Sequence, residues 1–134
     1  MLKPLNTKYA KSQKGSIPLT IKSDSFFRGN WALISLSSSR LKSSHISAAL
    51  MAIKRSIKKD GKIYTRVFPH TPVSKKPLEI RMGKGKGSID HWITHVHRGS
   101  FIFEISSILP LKTYQALTLA QSKLPFPSQI IQKS

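Results

Sequence analysis

The chain has 134 residues, and its 23 Lys and Arg against 5 Asp and Glu give a formal net charge of +18. This length corresponds to one domain, since domains commonly contain about 100–150 residues. The absence of cysteine excludes a disulfide scaffold, a thiolate zinc site and a cysteine nucleophile. The apolar runs are far shorter than the ~20 residues of a membrane-spanning helix, so we expect no membrane insertion.

The excess of positive charge indicates a polyanionic partner, because such a charge repels itself unless a polyanion accompanies the folded chain. The five acidic residues are scattered singly and cannot neutralise the cations around them. Nucleic acid is therefore the favoured partner. An anionic membrane is the weaker alternative, because membrane-binding helices concentrate their charge on one face, whereas here it is spread along most of the chain.

The first 30 residues are predicted to form a basic, extended arm that RNA orders, ahead of an α+β domain over 31–134. Residues 1–22 contain five Lys and no acid, and Pro4, Gly15 and Pro18 interrupt any regular element. An import presequence is an alternative interpretation, but an Arg-rich amphipathic helix and an apolar signal core are both missing. The arm residues predicted to bind RNA are Lys8, Lys11 and Lys14.

A strand and an amphipathic helix are predicted next. Trp31–Leu36 is a short apolar run typical of a buried strand. The Ser-rich stretch 35–39 leads into a helix that Ser43 or Ser44 can cap and that ends at Asp60-Gly61. Its apolar positions at helical spacing are Ile46, Ala49, Leu50, Ile53 and Ile57. Its opposite face carries cations predicted to bind RNA, namely Lys54, Arg55, Lys58 and Lys59.

The second half predicts short strands around a proline-rich loop. Residues 62–68 alternate as in a strand and include Arg66, another predicted RNA contact. A loop with Lys75 and Lys76 follows, because three prolines, Pro69, Pro72 and Pro77, interrupt the chain there. Further strands are expected over 78–82, 91–98 and 100–105, the last two as a hairpin that turns at Arg98-Gly99.

Pro110 suits the first turn of a second helix, which Pro125 and Pro127 close. Its expected apolar face consists of Leu111, Tyr114, Leu117, Ala120 and Leu124. Strands and helices alternate without the regular unit of a doubly wound sheet. The pattern therefore predicts a single compact α+β domain with one small mixed or antiparallel sheet.

Residues 81–87 combine glycines with cations in the pattern of a phosphate-approaching loop. They match neither GxxxxGK[ST] nor GxGxxG, since Ser88 stands where the latter needs its third glycine. Three glycines, Gly83, Gly85 and Gly87, would let backbone N–H groups approach phosphates closely. Lys84 and Lys86 add point charges, and Arg81 adds a planar fork for a phosphate or a guanine edge. We interpret this segment as a loop that follows an RNA backbone; a flexible charged loop is the alternative.

Catalytic interpretations find little support in the sequence. His91, His95 and His97 would share one face of a strand, but no Cys or acid on that face completes a ligand set, and catalytic zinc usually has three protein ligands. No two acids lie close in sequence, and no GxSxG elbow exists. We predict no enzyme, no metal and no cofactor. A metal-dependent hydrolase built on the three histidines is a minor alternative.

The segment Arg81–Trp92 (RMGKGKGSIDHW) resembles the signature of a bacterial-type ribosomal family, large ribosomal subunit protein sixteen. Residues 61–69 and 72–80 are similar to the central strand and loop of that family. Parts of 1–15 resemble its opening, and 120–125 resemble the exit from its closing helix. The resemblance covers nearly the whole chain in register.

The resemblance implies a non-catalytic α+β protein that binds large-subunit ribosomal RNA and helps shape the aminoacyl-tRNA site near the peptidyl transferase centre. Implied partners are this RNA, the aminoacyl-site tRNA and neighbouring large-subunit proteins. By position, the three arm lysines belong to an arm that threads into RNA. Lys75, Lys76, Arg81, Lys84 and Lys86 belong to the glycine-and-lysine loop. A free-standing RNA-binding chaperone or regulator is the alternative function.

Departures from the family pattern concern the arm and the first helix. Tyr64 stands where the family has Trp, Leu50-Met51 where it has an Arg pair, and Ser16–Thr20 where its arm is rich in Arg and Gly. The drift toward Ser, Ile, Lys and Phe indicates an AT-rich, divergent genome. Because the start coincides with the family's own start, we expect no import sequence and a protein encoded and used in a mitochondrion. A plastid and a bacterial cytoplasm are the alternatives.

Overall fold

The computed structural model describes residues 2–134, which form seven strands and two helices. In chain order these are β1 (Trp31–Ser35), β2 (Ser39–Lys42), α1 (Ser43–Ile57), β3 (Gly61–Thr65), β4 (Thr71–Lys75), β5 (Ser88–Val96), β6 (Phe101–Ser107), α2 (Pro110–Gln121) and β7 (Ser128–Gln132). This arrangement confirms the predicted α+β class.

The strands form two antiparallel sheets where the sequence predicted one. The first has the order β3-β6-β1-β7 and the second the order β2-β5-β4. Strand β6 is buried along nearly its whole length, because β1 and β3 flank it and helix α2 packs against it. The first sheet and the helices therefore enclose the main core.

The two helices pack against each other through small and branched side chains. On α1 the buried apolar residues are Ile46, Ala49, Ile53 and Ile57, and on α2 they are Ala116, Leu117 and Ala120. The predicted apolar face of α1 is thus confirmed at four of its five positions, and Leu50 is half-buried at the edge of the core.

Helix α1 starts differently from its prediction. Lys42 occupies the N-cap position in place of Ser43 or Ser44, and its N–H lies 3.4 Å from His45 Nδ1. Partial burial, and then the charge of Lys42, lower the pKa of His45. The helix ends at Ile57, where Lys58 takes φ +56°.

Helix α2 begins at Pro110, as predicted, and three of the five predicted core positions are buried, namely Leu117, Ala120 and Leu124. Leu111 and Tyr114 are 80% and 54% exposed, so these two predicted core positions are wrong. Thr113 is buried in their place. Its hydroxyl donates to the Leu109 carbonyl at 2.7 Å, which removes the cost of burying an unpaired polar group.

The predicted hairpin is wrong, because β5 and β6 belong to different sheets. The turn at Arg98-Gly99 exists, with Gly99 at φ +87°. At this turn, Gly99 N–H donates to the Ser35 carbonyl (2.8 Å), and Ser35 N–H donates to the Ser100 carbonyl (3.0 Å). These bonds start the pairing of the following strand, β6, with β1, so β6 does not return along β5.

The proline-rich region contains a strand where a loop was expected. Residues 71–75 form β4, and Lys75 lies opposite Ser88 of β5. Pro72 is tolerated because β4 is an edge strand, where a missing N–H costs no ladder bond.

The expected strand over 78–82 is absent from the described structure. Ile80 N–H instead donates to the Pro77 carbonyl at 3.2 Å in a turn. Leu78 and Met82 are almost fully exposed, so no neighbouring strand supports this segment.

Two strands escaped the sequence analysis. No strand is predicted between the Ser-rich stretch 35–39 and α1, where β2 lies, and none after Pro125 and Pro127, the residues predicted to end the second helix, where β7 lies. Strand β7 pairs with β1 from Ser35↔Ser128 to Trp31↔Gln132. It thereby forms the second edge of the larger sheet.

Candidate nucleic-acid interface

The later part of the N-terminal segment lies against the domain. Lys22 N–H donates to the Arg98 carbonyl at 2.8 Å, next to an isolated parallel bridge at Ile21. The Asp24 carboxylate accepts a bond from Phe101 N–H at 3.1 Å. These contacts fix the path of the chain before β1 begins.

The buried carboxylate of Glu104 holds the residues just before β1. Its oxygens accept N–H bonds from Phe27 at 3.1 Å, Arg28 at 2.9 Å and Gly29 at 2.8 Å, and it also pairs with the Arg66 guanidinium. Burial acts to raise the pKa of Glu104, but the bonds from Arg28, Gly29, Arg66 and Phe27 together hold it below its usual value. The side chain is therefore an anion inside the fold, and it ties the arm to β6.

Arg66 is committed to this internal network. Besides Glu104, its guanidinium donates to the Ser25 carbonyl at 3.1 Å and lies 5.5 Å from the centre of the Phe101 ring. An RNA contact by Arg66 would compete with these contacts.

The earlier part of the arm is joined to the glycine loop by reciprocal lysine contacts. Lys86 Nζ donates to the Ser12 carbonyl at 2.6 Å, and Lys11 Nζ donates to the Lys86 carbonyl at 3.1 Å. Three residues further along, the Gly15 carbonyl accepts a bond from Arg40 Nη2 at 2.5 Å. Arm residues 11–15 therefore lie beside the loop and across the smaller sheet.

The loop itself is exposed and has an unusual backbone. Gly83, Lys84 and Gly85 have φ values of +94°, +59° and +94°, a region open to glycine and costly for lysine. Nothing lies within 4 Å of the position of a Cβ at Gly83 or Gly85. Lys76 Nζ donates to the Gly83 carbonyl, so the residue that follows β4 is bonded to the backbone of the loop.

Gly87 is glycine for a different reason. A Cβ there would lie 2.6 Å from the Lys75 carbonyl oxygen, closer than atoms approach without rearrangement. The close approach of Gly87 to the end of β4 fixes where the loop returns to β5.

Apart from Arg66, the predicted RNA-binding residues fall into two groups. One surrounds the arm and loop: Lys8, Lys11, Lys14, Lys75, Lys76, Arg81, Lys84 and Lys86, with Gly83, Gly85 and Gly87. Lys8 also lies 5.4 Å from the centre of the Tyr9 ring. The second group is exposed at and beyond the end of α1: Lys54, Arg55, Lys58 and Lys59. Within residues 2–134, no side-chain hydrogen bond joins the second group to the first.

Acidic side chains do not neutralise the loop. The ion pairs of the described residues are Lys22–Asp24, Arg66–Glu104, His91–Asp90 and Lys112–Asp60. In the third pair, the hydrogen bond from His91 lowers the pKa of Asp90. The cations of the loop therefore stay available to an external anion.

The three histidines considered as metal ligands do not converge. His91 bonds to Asp90 at 2.7 Å, His97 lies 3.0 Å from the Thr20 hydroxyl, and His95 lies under the arm at Gly15. In the part of the chain that the structure describes, no group of three or more His, Asp or Glu residues is placed to hold a metal ion. None of the helices described is long and apolar enough to cross a membrane.

Sequence reasoning missed Arg40 and Glu104, which organise the arm. Neither lies in a recognisable motif, and only the pairing of strands brings them under residues 15 and 27–29. The one available signal was a single acid inside the apolar run 101–105, since a buried carboxylate requires donors.

Comparison with known proteins identifies the family. Residues 4–131 match the family described as Ribosomal protein L16p/L10e. The large ribosomal subunit protein uL16 of Blochmanniella pennsylvanica is 44% identical over 131 residues, covering 98% of this chain and 98% of that protein. The uL16 proteins of Buchnera aphidicola subsp. Baizongia pistaciae and Pelagibacter ubique are 43% and 40% identical, each over 134 residues, 99% of this chain and 98% of theirs. The chain therefore belongs to the L16p/L10e family of ribosomal proteins.

Proposed function

We propose that this chain is a structural constituent of the large ribosomal subunit and binds large-subunit ribosomal RNA. Its relatives carry the name of a large-subunit protein, and the net charge of +18 favours a polyanionic partner. The observation that carries the proposal is the joining of arm and loop by Lys86 and Lys11. These bonds present two basic segments, distant in sequence, as one exposed surface.

The mechanism is charge neutralisation and positioning, with no covalent chemistry. The arm and loop cations displace counterions from packed phosphates, which makes binding strongly salt-dependent. Gly83 and Gly85, where nothing lies within 4 Å of the position of a Cβ, allow a phosphate to approach the loop backbone. Contacts of this kind fix the register of the protein on RNA without reading bases.

Within the subunit, the loop is proposed to fix RNA strands near the site that receives the aminoacyl-tRNA, close to the peptidyl transferase centre. Exposure of Arg81 and Lys84 supports this role, since both side chains project from a loop with little cover. Neighbouring large-subunit proteins are the other proposed partners.

A mitochondrial ribosome is the proposed location. The support is the amino-acid drift toward Ser, Ile, Lys and Phe. The relatives compared above are bacterial, so the bacterial cytoplasm is one alternative location. A plastid is the other. Cell fractionation would distinguish the three locations.

Density-gradient separation of lysate washed in high salt tests the proposed function. We expect this chain to sediment with the large subunit at a yield equal to that of the other large-subunit proteins. Recovery near the top of the gradient would contradict the proposal and favour a free-standing RNA-binding chaperone or regulator. Comparing organelle and cytosolic lysates in parallel tests the location separately.

A further inference from the structure

The arm crosses a pair of polar side chains on the smaller sheet. Arg40 of β2 lies directly opposite His95 of β5, which places both side chains on one face. The adjacent pair, Leu41 and Thr94, is buried on the opposite face. A Cβ at Gly15 would lie 3.8 Å from His95 Cε1, so the arm rests directly on this pair.

Polar atoms at this crossing lack partners. Arg40 Nε, His95 Nε2 and Ser12 Oγ are buried and have no hydrogen-bond partner among residues 2–134. The fourth such side-chain atom of the described residues, Ser128 Oγ, lies on β7 in the other sheet. Because buried polar groups are nearly always paired, the two unpartnered nitrogens of the directly opposed residues Arg40 and His95 indicate a place for a hydrogen-bonding ligand.

The charge at the crossing favours an anion. The four ion pairs of the described residues do not include Arg40, whose Nη2 donates only to a neutral acceptor, the Gly15 carbonyl. Lys11 and Lys14 are exposed in the same arm segment, and Lys86 bonds to the Ser12 carbonyl. A guanidinium fork is well matched to the oxygens of a phosphate.

We propose that Arg40 and His95 form an RNA phosphate site, which the Gly15 carbonyl occupies in the free protein. When RNA binds, residues 13–15 move outward and a phosphate oxygen replaces the Gly15 carbonyl, while Lys86 keeps its bond to the Ser12 carbonyl. Arg40 then donates from Nη2 and Nε, and His95 donates from Nε2. Gly15, at φ +73°, provides a point where the arm changes direction. This inference rests on the proposed RNA-binding function, and it adds a site outside the glycine loop.

Side-chain NMR of the full chain tests the site directly. The arginine Nε–H and histidine ring resonances are followed while a short single-stranded RNA is added, and inorganic phosphate is added in a parallel titration. We expect the signals of Arg40 and His95 to move with RNA until saturation. Movement with inorganic phosphate but not with RNA would overturn the proposal in favour of a free-phosphate site.

Affinity measurements with matched variants complete the test. Arg40→Gln should lower the slope of log affinity against log salt by about 0.7, the value for one phosphate contact on a single strand. Arg98→Gln removes the same charge from an exposed residue and should leave the slope unchanged. Arg40→Lys keeps the charge without the fork, so it should retain the salt slope of the wild type but bind RNA more weakly. Circular dichroism and the Tm verify that each variant is folded.

The outcomes separate this inference from the proposed function. If RNA shifts the loop signals of Lys84 and Lys86 but leaves Arg40 unmoved, the proposed function stands and the arm-covered site is wrong. If the wild-type chain binds no RNA at all, both are wrong. Equal slopes for Arg40→Gln and the wild type would also overturn the site.

Discussion

Lys86 and Ser12 are separated by 74 positions in the chain, yet Lys86 Nζ donates to the Ser12 carbonyl at 2.6 Å. Lys11 returns the contact by donating to the Lys86 carbonyl at 3.1 Å. Side chains of the arm and the loop thus each hold the backbone of the other. The arm has almost no regular structure of its own, so these bonds keep its basic residues beside the loop.

Replacing Lys86 by Met should loosen the arm without harming the fold. One hydrogen bond contributes about 1 kcal/mol net, so we expect trypsin to cleave after Lys11 and Lys14 about five-fold faster. Lys84→Met is the matched control, because Lys84 makes no side-chain hydrogen bond to the arm in the described structure. Limited proteolysis followed by mass spectrometry compares the two variants. Equal cleavage rates in both variants would contradict the role of Lys86 in holding the arm.

Reversing the loop charges should impair ribosome assembly. Lys84→Glu with Lys86→Glu places two anions where phosphates are expected, and we predict depleted large subunits and polysomes. The isolated variant should keep its Tm within a few degrees, since both side chains are exposed. Lys123→Glu with Lys133→Glu makes the same charge change at exposed positions outside the proposed interface. Normal polysome profiles in the loop variant would count heavily against the proposal.

Glu104→Gln should destabilise the fold strongly. The change leaves Arg66 without its buried counterion, and breaking such a pair costs about 3–5 kcal/mol. An amide also presents a donor to the N–H groups of residues 27–29 that now meet a carboxylate. Urea unfolding measures the effect. Glu79→Gln, at an exposed acid, should change the free energy of unfolding by less than about 0.5 kcal/mol.

Acid should remove the contribution of Glu104. Its pKa in the folded protein is below its usual value of 4.5, so the unfolded chain binds its proton first as the pH falls. The stabilisation is complete above pH 4.5 and is lost as the pH falls through the folded-state pKa. The difference in unfolding free energy between wild type and Glu104→Gln should therefore shrink below this pH. A constant difference down to pH 2 would contradict the assignment.

The loop glycines should separate into two classes on mutation to Ala. Gly83→Ala and Gly85→Ala meet no neighbouring atom but force alanine to φ +94°, which costs about 1–2 kcal/mol. They should change the loop conformation and weaken RNA binding with little change in Tm. Gly87→Ala places a Cβ 2.6 Å from the Lys75 carbonyl oxygen and should lower the Tm as well. The opposite order of Tm values would contradict this division.

Local patterns in the sequence predicted elements more reliably than their pairing. Helix α1 shows apolar residues at helical spacing, and α2 has a proline suited to its first turn, so both helices were identified. The pairing of β5 with β2 and β4 was missed, because the turn at Gly99 looks the same in sequence whether the chain returns to its own strand or crosses to another sheet. Strand β4 was missed because its proline, Pro72, was interpreted as a break in regular structure. Proline is excluded only from interior strands, and β4 is an edge strand.

In the candidate site too, local features could be predicted from the sequence and tertiary contacts could not. The residue types alone predicted an exposed loop of glycines and lysines. The contacts that place the arm depend on tertiary structure, since Arg40 reaches Gly15 only after β2 pairs with β5. Glu104 looked like one isolated acid, although it is the anchor of residues 27–29.

Ultraviolet cross-linking within intact, salt-washed large subunits, followed by mass spectrometry of peptide–RNA adducts, shows which segments of the chain contact RNA. We predict that adducts with large-subunit RNA concentrate in residues 8–15 and 81–87, the two segments joined by Lys11 and Lys86. Adducts confined to other surfaces, with these two segments free of RNA, would contradict it.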